Sequence, residues 1–108
     1  MSDPATIKRL RLEALVAYPP TARCKQVLEL LKALLVDYPD QLRLDVYYAG
    51  EAPGTTPSRA YQSLDKRKTV PSGYINGRML LSRDLPALEA LRREVEAELQ
   101  RGPSAWQD

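Results

Sequence analysis

Apolar and polar positions alternate from Leu10, with Leu10, Leu12, Ala14 and Val16 on one phase and Arg11 and Glu13 on the other. A period of two is the signature of a strand. The run turns wholly apolar from Ala14 to Tyr18, which predicts a strand covered on both faces towards its end. Pro19-Pro20 stops it. The pattern then changes period. Cys24, Val27, Leu28, Leu31, Leu34 and Leu35 fall on one stripe of a helix whose N-cap is Thr21. Asp37-Tyr38-Pro39-Asp40 ends that helix, because a proline disfavours helix at the residue before it. Alternation resumes over 42–48, where Leu42, Leu44, Val46 and Tyr48 oppose Arg43, Asp45 and Tyr47. Strand, helix and strand at this spacing predict a βαβ unit with parallel strands.

Residues 49–68 are rich in Gly, Pro, Ser and Thr, and a connection of that length usually holds a short element or a function. A two-turn helix around Ser58–Leu64 is expected. Asn76-Gly77, set between the apolar runs 69–75 and 78–81, predicts a hairpin whose two turn residues both have positive φ. A last helix is expected to start near Ser82–Pro86, with Leu88, Leu91, Val95 and Leu99 on one face and Gly102-Pro103 at its close. The order is β-α-β-α-β-β-α: an α/β chain with a mixed four-stranded sheet flanked by helices. It is read as a single domain over 1–108, with frayed tails at about 1–6 and 102–108.

Composition narrows the chemistry. With no histidine among 108 residues, His-based triads, His general bases and His-ligated metals are excluded. One cysteine, Cys24, excludes an internal disulfide, a Cys-x-x-Cys pair and a cysteine-rich zinc site. No apolar run approaches the roughly 18 residues of a membrane span, and residues 1–9 lack the apolar stretch of a signal peptide. The expectation is therefore a cytoplasmic protein without a membrane partner. A net charge of +2 is too mild to point to nucleic acid.

Thr69-Val70-Pro71, Tyr74-Ile75-Asn76-Gly77, Ser82 and Asp84-Leu85 together resemble the second half of glutaredoxins. The first half is similar too, with a strand ending in Tyr, a short loop, and Cys at the start of an amphipathic helix. The likeness covers about residues 10–100 and implies a thioredoxin-like fold. It also implies that Pro71 is cis and that the Val70 backbone lies beside the active site, where it would pair with an extended peptide or glutathione. Two registers are open. In one, Thr21-Ala22-Arg23-Cys24 stands for Cys-x-x-Cys, so Thr21 takes the place of the attacking sulfur and Cys24 is the inner thiol. In the other the loop is a turn longer and Cys24 is itself the nucleophile. The chain departs from the pattern at Leu15, where thioredoxins place a buried carboxylate, and at Leu80-Leu81, where glutaredoxins have a glycine pair.

The resemblance thus implies catalytic roles at Cys24 and Thr21 and substrate contacts at Thr69, Val70, Pro71, Ser82 and Asp84, with no resident metal or cofactor. Two functions follow. One is thiol–disulfide exchange through a mixed disulfide at Cys24, with glutathione as co-substrate or a protein thiol as partner. The other is a redox-inactive module that binds a peptide or partner protein in the groove beside Pro71. A third, an iron–sulfur cluster shared between two subunits through Cys24 and glutathione, requires Cys24 at the nucleophile position. Arg23 and Lys25 flank the thiol, and Lys66-Arg67-Lys68 reads either as a solvated loop or as an attraction for an anionic partner.

Overall fold

The computed structural model of the chain describes residues 8–64 and 69–106. The strand β1 (Leu10–Val16) is followed by the helix α1 (Ala22–Asp37) and the strand β2 (Leu42–Tyr48). A single helical turn, α2 (Arg59–Gln62), leads to the hairpin strands β3 (Ser72–Ile75) and β4 (Arg78–Leu81), then to the helix α3 (Leu88–Arg101). The sheet has the order β2-β1-β3-β4. β1 runs parallel to β2 from the pair Leu10–Leu42 to the pair Val16–Tyr48, and β3 lies antiparallel to both β1 and β4. This is the compact α/β arrangement with a mixed sheet that the alternation predicts.

The two phases of β1 enter two different environments. Leu10, Leu12 and Ala14 meet Val27, Leu31 and Leu34 of α1 and Leu91 and Val95 of α3 in the main core. Each fully buried aliphatic side chain there contributes about 1.5–3 kcal/mol relative to exposure. The opposite face is buried as well, although it is polar: Arg11 is 8% exposed and Glu13 only 1%. Over it lie Tyr47, Tyr61 and Tyr74, with Leu15 and Leu64 packed against them.

Local signals account for the element ends. Thr21 caps α1 by accepting the Cys24 amide at 3.2 Å, and Ser58 caps α2 by accepting the Tyr61 amide at 3.1 Å. Asn76 and Gly77 both have positive φ, at 47° and 77°. A Cβ on Gly77 would come 2.6 Å from that of Ala60, so glycine is also what lets α2 approach the hairpin. Three expectations are corrected. The helix expected to make two turns around Ser58–Leu64 makes one, Arg59–Gln62. α3 starts at Leu88 rather than between Ser82 and Pro86, since Leu85 precedes a proline and Ala87 is extended at ψ 145°. The end of the chain is not frayed as far as Trp106. Residues 103–105 form a 3-10 turn, and Trp106 enters the main core, donating its indole N–H to the Glu98 carbonyl at 3.0 Å. Among the described residues no helix is long and apolar enough to cross a membrane.

Candidate functional site

Cys24 lies in the first turn of α1 on its inner side and is 1% exposed. Its sulfur receives the Thr21 hydroxyl at 3.1 Å and the Ala17 amide at 3.4 Å. Burial pushes the thiol up, but the Thr21 hydroxyl, the Ala17 amide and the amides of the helix start outweigh it and bring the thiol below its ordinary value. Hydrogen bonds rather than Arg23 and Lys25, both exposed, favour the thiolate. Thr21 is exposed and stands over the sulfur with its hydroxyl directed to it. The site thus holds a stabilised sulfur behind a hydroxyl, with little path for a second sulfur to approach it.

The other face of the sheet carries a buried polar network that the alternation hides. Glu13 accepts from the Tyr47 hydroxyl at 2.6 Å, from the Ser58 amide at 2.9 Å and from the Ser58 hydroxyl. Arg11 lies 3.8 Å from Glu13, pairs with Asp45 at 2.9 Å and donates to the Thr56 carbonyl at 2.8 Å. A carboxylate is therefore buried on the central strand at Glu13, two residues before Leu15. Strand side chains here reach up and fasten the 49–58 connection to the sheet. Burial and the bond to Glu13 push the Tyr47 phenol far up, and burial pushes Tyr61 up to about 12.

Where this network ends, a cavity of about 380 Å³ opens, lined by Leu15, Tyr47, Tyr48, Glu51, Tyr61 and Val70 among others. It sits at the carboxyl ends of the parallel strands β1 and β2, where ligands bind in open α/β sheets. Tyr48 is 37% exposed, and its ring meets that of Tyr18, itself 69% exposed, edge to face at 5.5 Å. No family model matches the chain, and neither a curated protein nor a solved structure matches it.

The remaining expected residues divide between two places. Thr69 is exposed, Val70 half-buried and Pro71 buried, and the Val70–Pro71 bond is cis, as is Tyr18–Pro19. Ser72, directly after Pro71 and paired with Leu15 across β1, has a buried hydroxyl with no hydrogen-bond partner among the described residues. Ser82 and Asp84 are not brought to this cavity. They line a shallower one of about 390 Å³ with Met79, Leu81, Leu85 and Pro86, which shares no lining residue with the first. Lys66-Arg67-Lys68 lies outside the described residues. Among the described residues there is no group of three or more carboxylates and thiols placed to hold a metal ion. Sequence reasoning missed Glu13, Tyr47 and Tyr61. The signal that could have found Tyr47 is the strand phase that puts it, with Tyr74, on the face of Glu13; Tyr61, on α2, carries no such signal.

Proposed function

We propose that the chain is a thioredoxin-like module related to glutaredoxins that runs no dithiol cycle and binds an extended peptide or partner segment in the groove beside Val70–Pro71. The observation that carries this reading is the state of Cys24: 1% exposed, behind the hydroxyl of Thr21, the residue that one register of the resemblance sets at the place of the attacking sulfur. The order β2-β1-β3-β4, with α1 and α3 on one face and α2 on the other, agrees with the fold the resemblance implies. The open cavity that Val70 shares with three tyrosines supplies a surface for binding. A cytoplasmic setting belongs to the same proposal. The test is selection of extended peptides on the immobilised protein. Binding lost on Val70→Glu and kept on Cys24→Ser supports the module. Binding that disappears with Cys24→Ser, or that a reducing agent reverses, refutes it.

A specific observation favours a second reading, thiol–disulfide exchange through Cys24 with glutathione or a partner thiol. The hydrogen bonds from Thr21 and Ala17 favour the thiolate, which is the attacking form. This reading needs the 17–21 segment to move aside. A glutathione-dependent reductase rate abolished by Cys24→Ser supports it, and an unchanged rate ends it.

A further inference from the structure

The cavity at the ends of β1 and β2 has a composition that selects a ligand. Three of its lining residues are tyrosines, and Glu51 carries the one charged side chain among those that line it. Behind Tyr47 lie Arg11, Glu13 and Asp45, and Asp45 also pairs with Arg43 at 3.0 Å, so this network is balanced in charge and Glu51 sets the sign at the cavity. The site is thus aromatic, aliphatic at Leu15 and Val70, and carries one carboxylate at its rim. A cation gains there from the carboxylate at the rim and from the electron-rich ring faces. A long alkyl stem ending in an ammonium matches both halves, since the stem covers apolar surface while the head remains at the wet, charged edge.

We infer that this cavity takes the side chain of a lysine, plain or methylated, carried by the extended segment that lies beside Val70–Pro71. The inference rests on the binding-module reading and names the side chain that such a partner presents. Glu51 meets the ammonium head, Tyr47, Tyr48 and Tyr61 face its carbon-bound shell, and Leu15 and Val70 receive the stem. The Glu13 network holds the wall in place through Ser58 and Thr56 and does not itself touch the ligand.

The probe is N-acetyl-lysine methylamide, with its norleucine counterpart as a control that keeps the stem and lacks the ammonium. Each is titrated into isotope-labelled protein while backbone amide signals are followed. The expected result is saturable movement of the Tyr48–Glu51 and Val70 signals by the lysine compound, with the norleucine compound weaker by about fivefold. Glu51→Gln and Tyr48→Ala, both at exposed positions, each weaken the lysine compound by a few-fold while the remaining signals stay in place. Equal binding of the two compounds, or no saturable movement by the lysine compound, overturns the inference. A lysine-free peptide of alternating valine and threonine reads the groove separately. If it moves the Thr69–Ser72 signals while the lysine compound moves none, the cation site is overturned and the binding module stands.

Discussion

Replacing Glu13 by glutamine keeps the outline of the side chain and removes its charge. One carboxylate oxygen now receives Tyr47 at 2.6 Å and the Ser58 amide at 2.9 Å, with Arg11 at 3.8 Å; the other receives the Ser58 hydroxyl. A glutamine carbonyl turned to Tyr47 retains two of these bonds as neutral ones. Its NH₂ then faces the Ser58 oxygen, which already accepts the Tyr61 amide and must turn its own proton elsewhere. Bonds to a charged group contribute roughly 1.5–3 kcal/mol and neutral ones about 1 kcal/mol, so two weakened bonds and one lost sum to several kcal/mol. Part of that is offset, because Arg11 and Asp45 remain as a balanced pair and one fewer charge is buried. The expected net loss is about 2–3 kcal/mol, against about 3–5 kcal/mol for Glu13→Ala, which leaves Tyr47, Ser58 and Arg11 without their acceptor. Urea unfolding followed by the fluorescence of Trp106, at the far side of the sheet, measures both. A Glu13→Gln loss below about 0.5 kcal/mol would refute the claim that this carboxylate fastens the 49–58 connection.

Tyr61, held up to about 12 chiefly by burial, and Tyr47, raised further by burial and by Glu13, stay neutral where an unfolded tyrosine ionises near pH 10. The folded chain then holds more protons, so stability is intact below about pH 10 and falls as pH rises towards 12. Unfolding midpoints that stay level from about pH 10 to 12 would contradict this. Gly77→Ala loses roughly 2–3 kcal/mol, because φ is 77° and the new Cβ meets Ala60 at 2.6 Å. Gly54→Ala, where a Cβ meets nothing within 4 Å, is the neutral control in the same unfolding assay. Native Cys24 reacts with alkylating reagents only through opening of the fold, so denaturant accelerates the reaction by orders of magnitude; a fast native reaction would show that the sulfur is reachable. Thr21→Ala removes the cap, at about 1 kcal/mol, and raises the thiol, as thiolate absorbance against pH would record.

Much of the architecture was legible because it rests on local rules. The change of period from two to 3.6 after Pro20, the cap at Thr21 and the turn at Asn76-Gly77 each act within a few residues, and each is found where the pattern puts it. The polar face of β1 was not legible. Arg11 and Glu13 have the spacing of a solvated strand face, and only the return of Thr56 and Ser58, some 45 residues on, turns that face into an interior. Trp106 was obscured similarly, since its partner Glu98 offers a backbone carbonyl that no side-chain pattern announces. The position of Cys24 on the inner stripe was readable. Its hydrogen bonds from the 17–21 segment depend on how two prolines fold the chain back over the helix start.

The Lys8 ammonium donates to the carbonyls of Pro103 and Trp106, which brings the two ends of the described chain together beside the start of β1. The cavity lies at the other end of that strand, beyond Leu15 and about 20 Å away at strand rise. Lys8 and Trp106, where the described chain begins and ends, therefore lie on the side opposite the cavity. The same closeness permits a rewired chain, in which a short linker joins Trp106 to Lys8 and new ends are cut at exposed Gly54. Such a chain would free one wall of the cavity while the sheet and both long helices keep their connections, turning the 49–58 segment from a fixed rim into a hinged one.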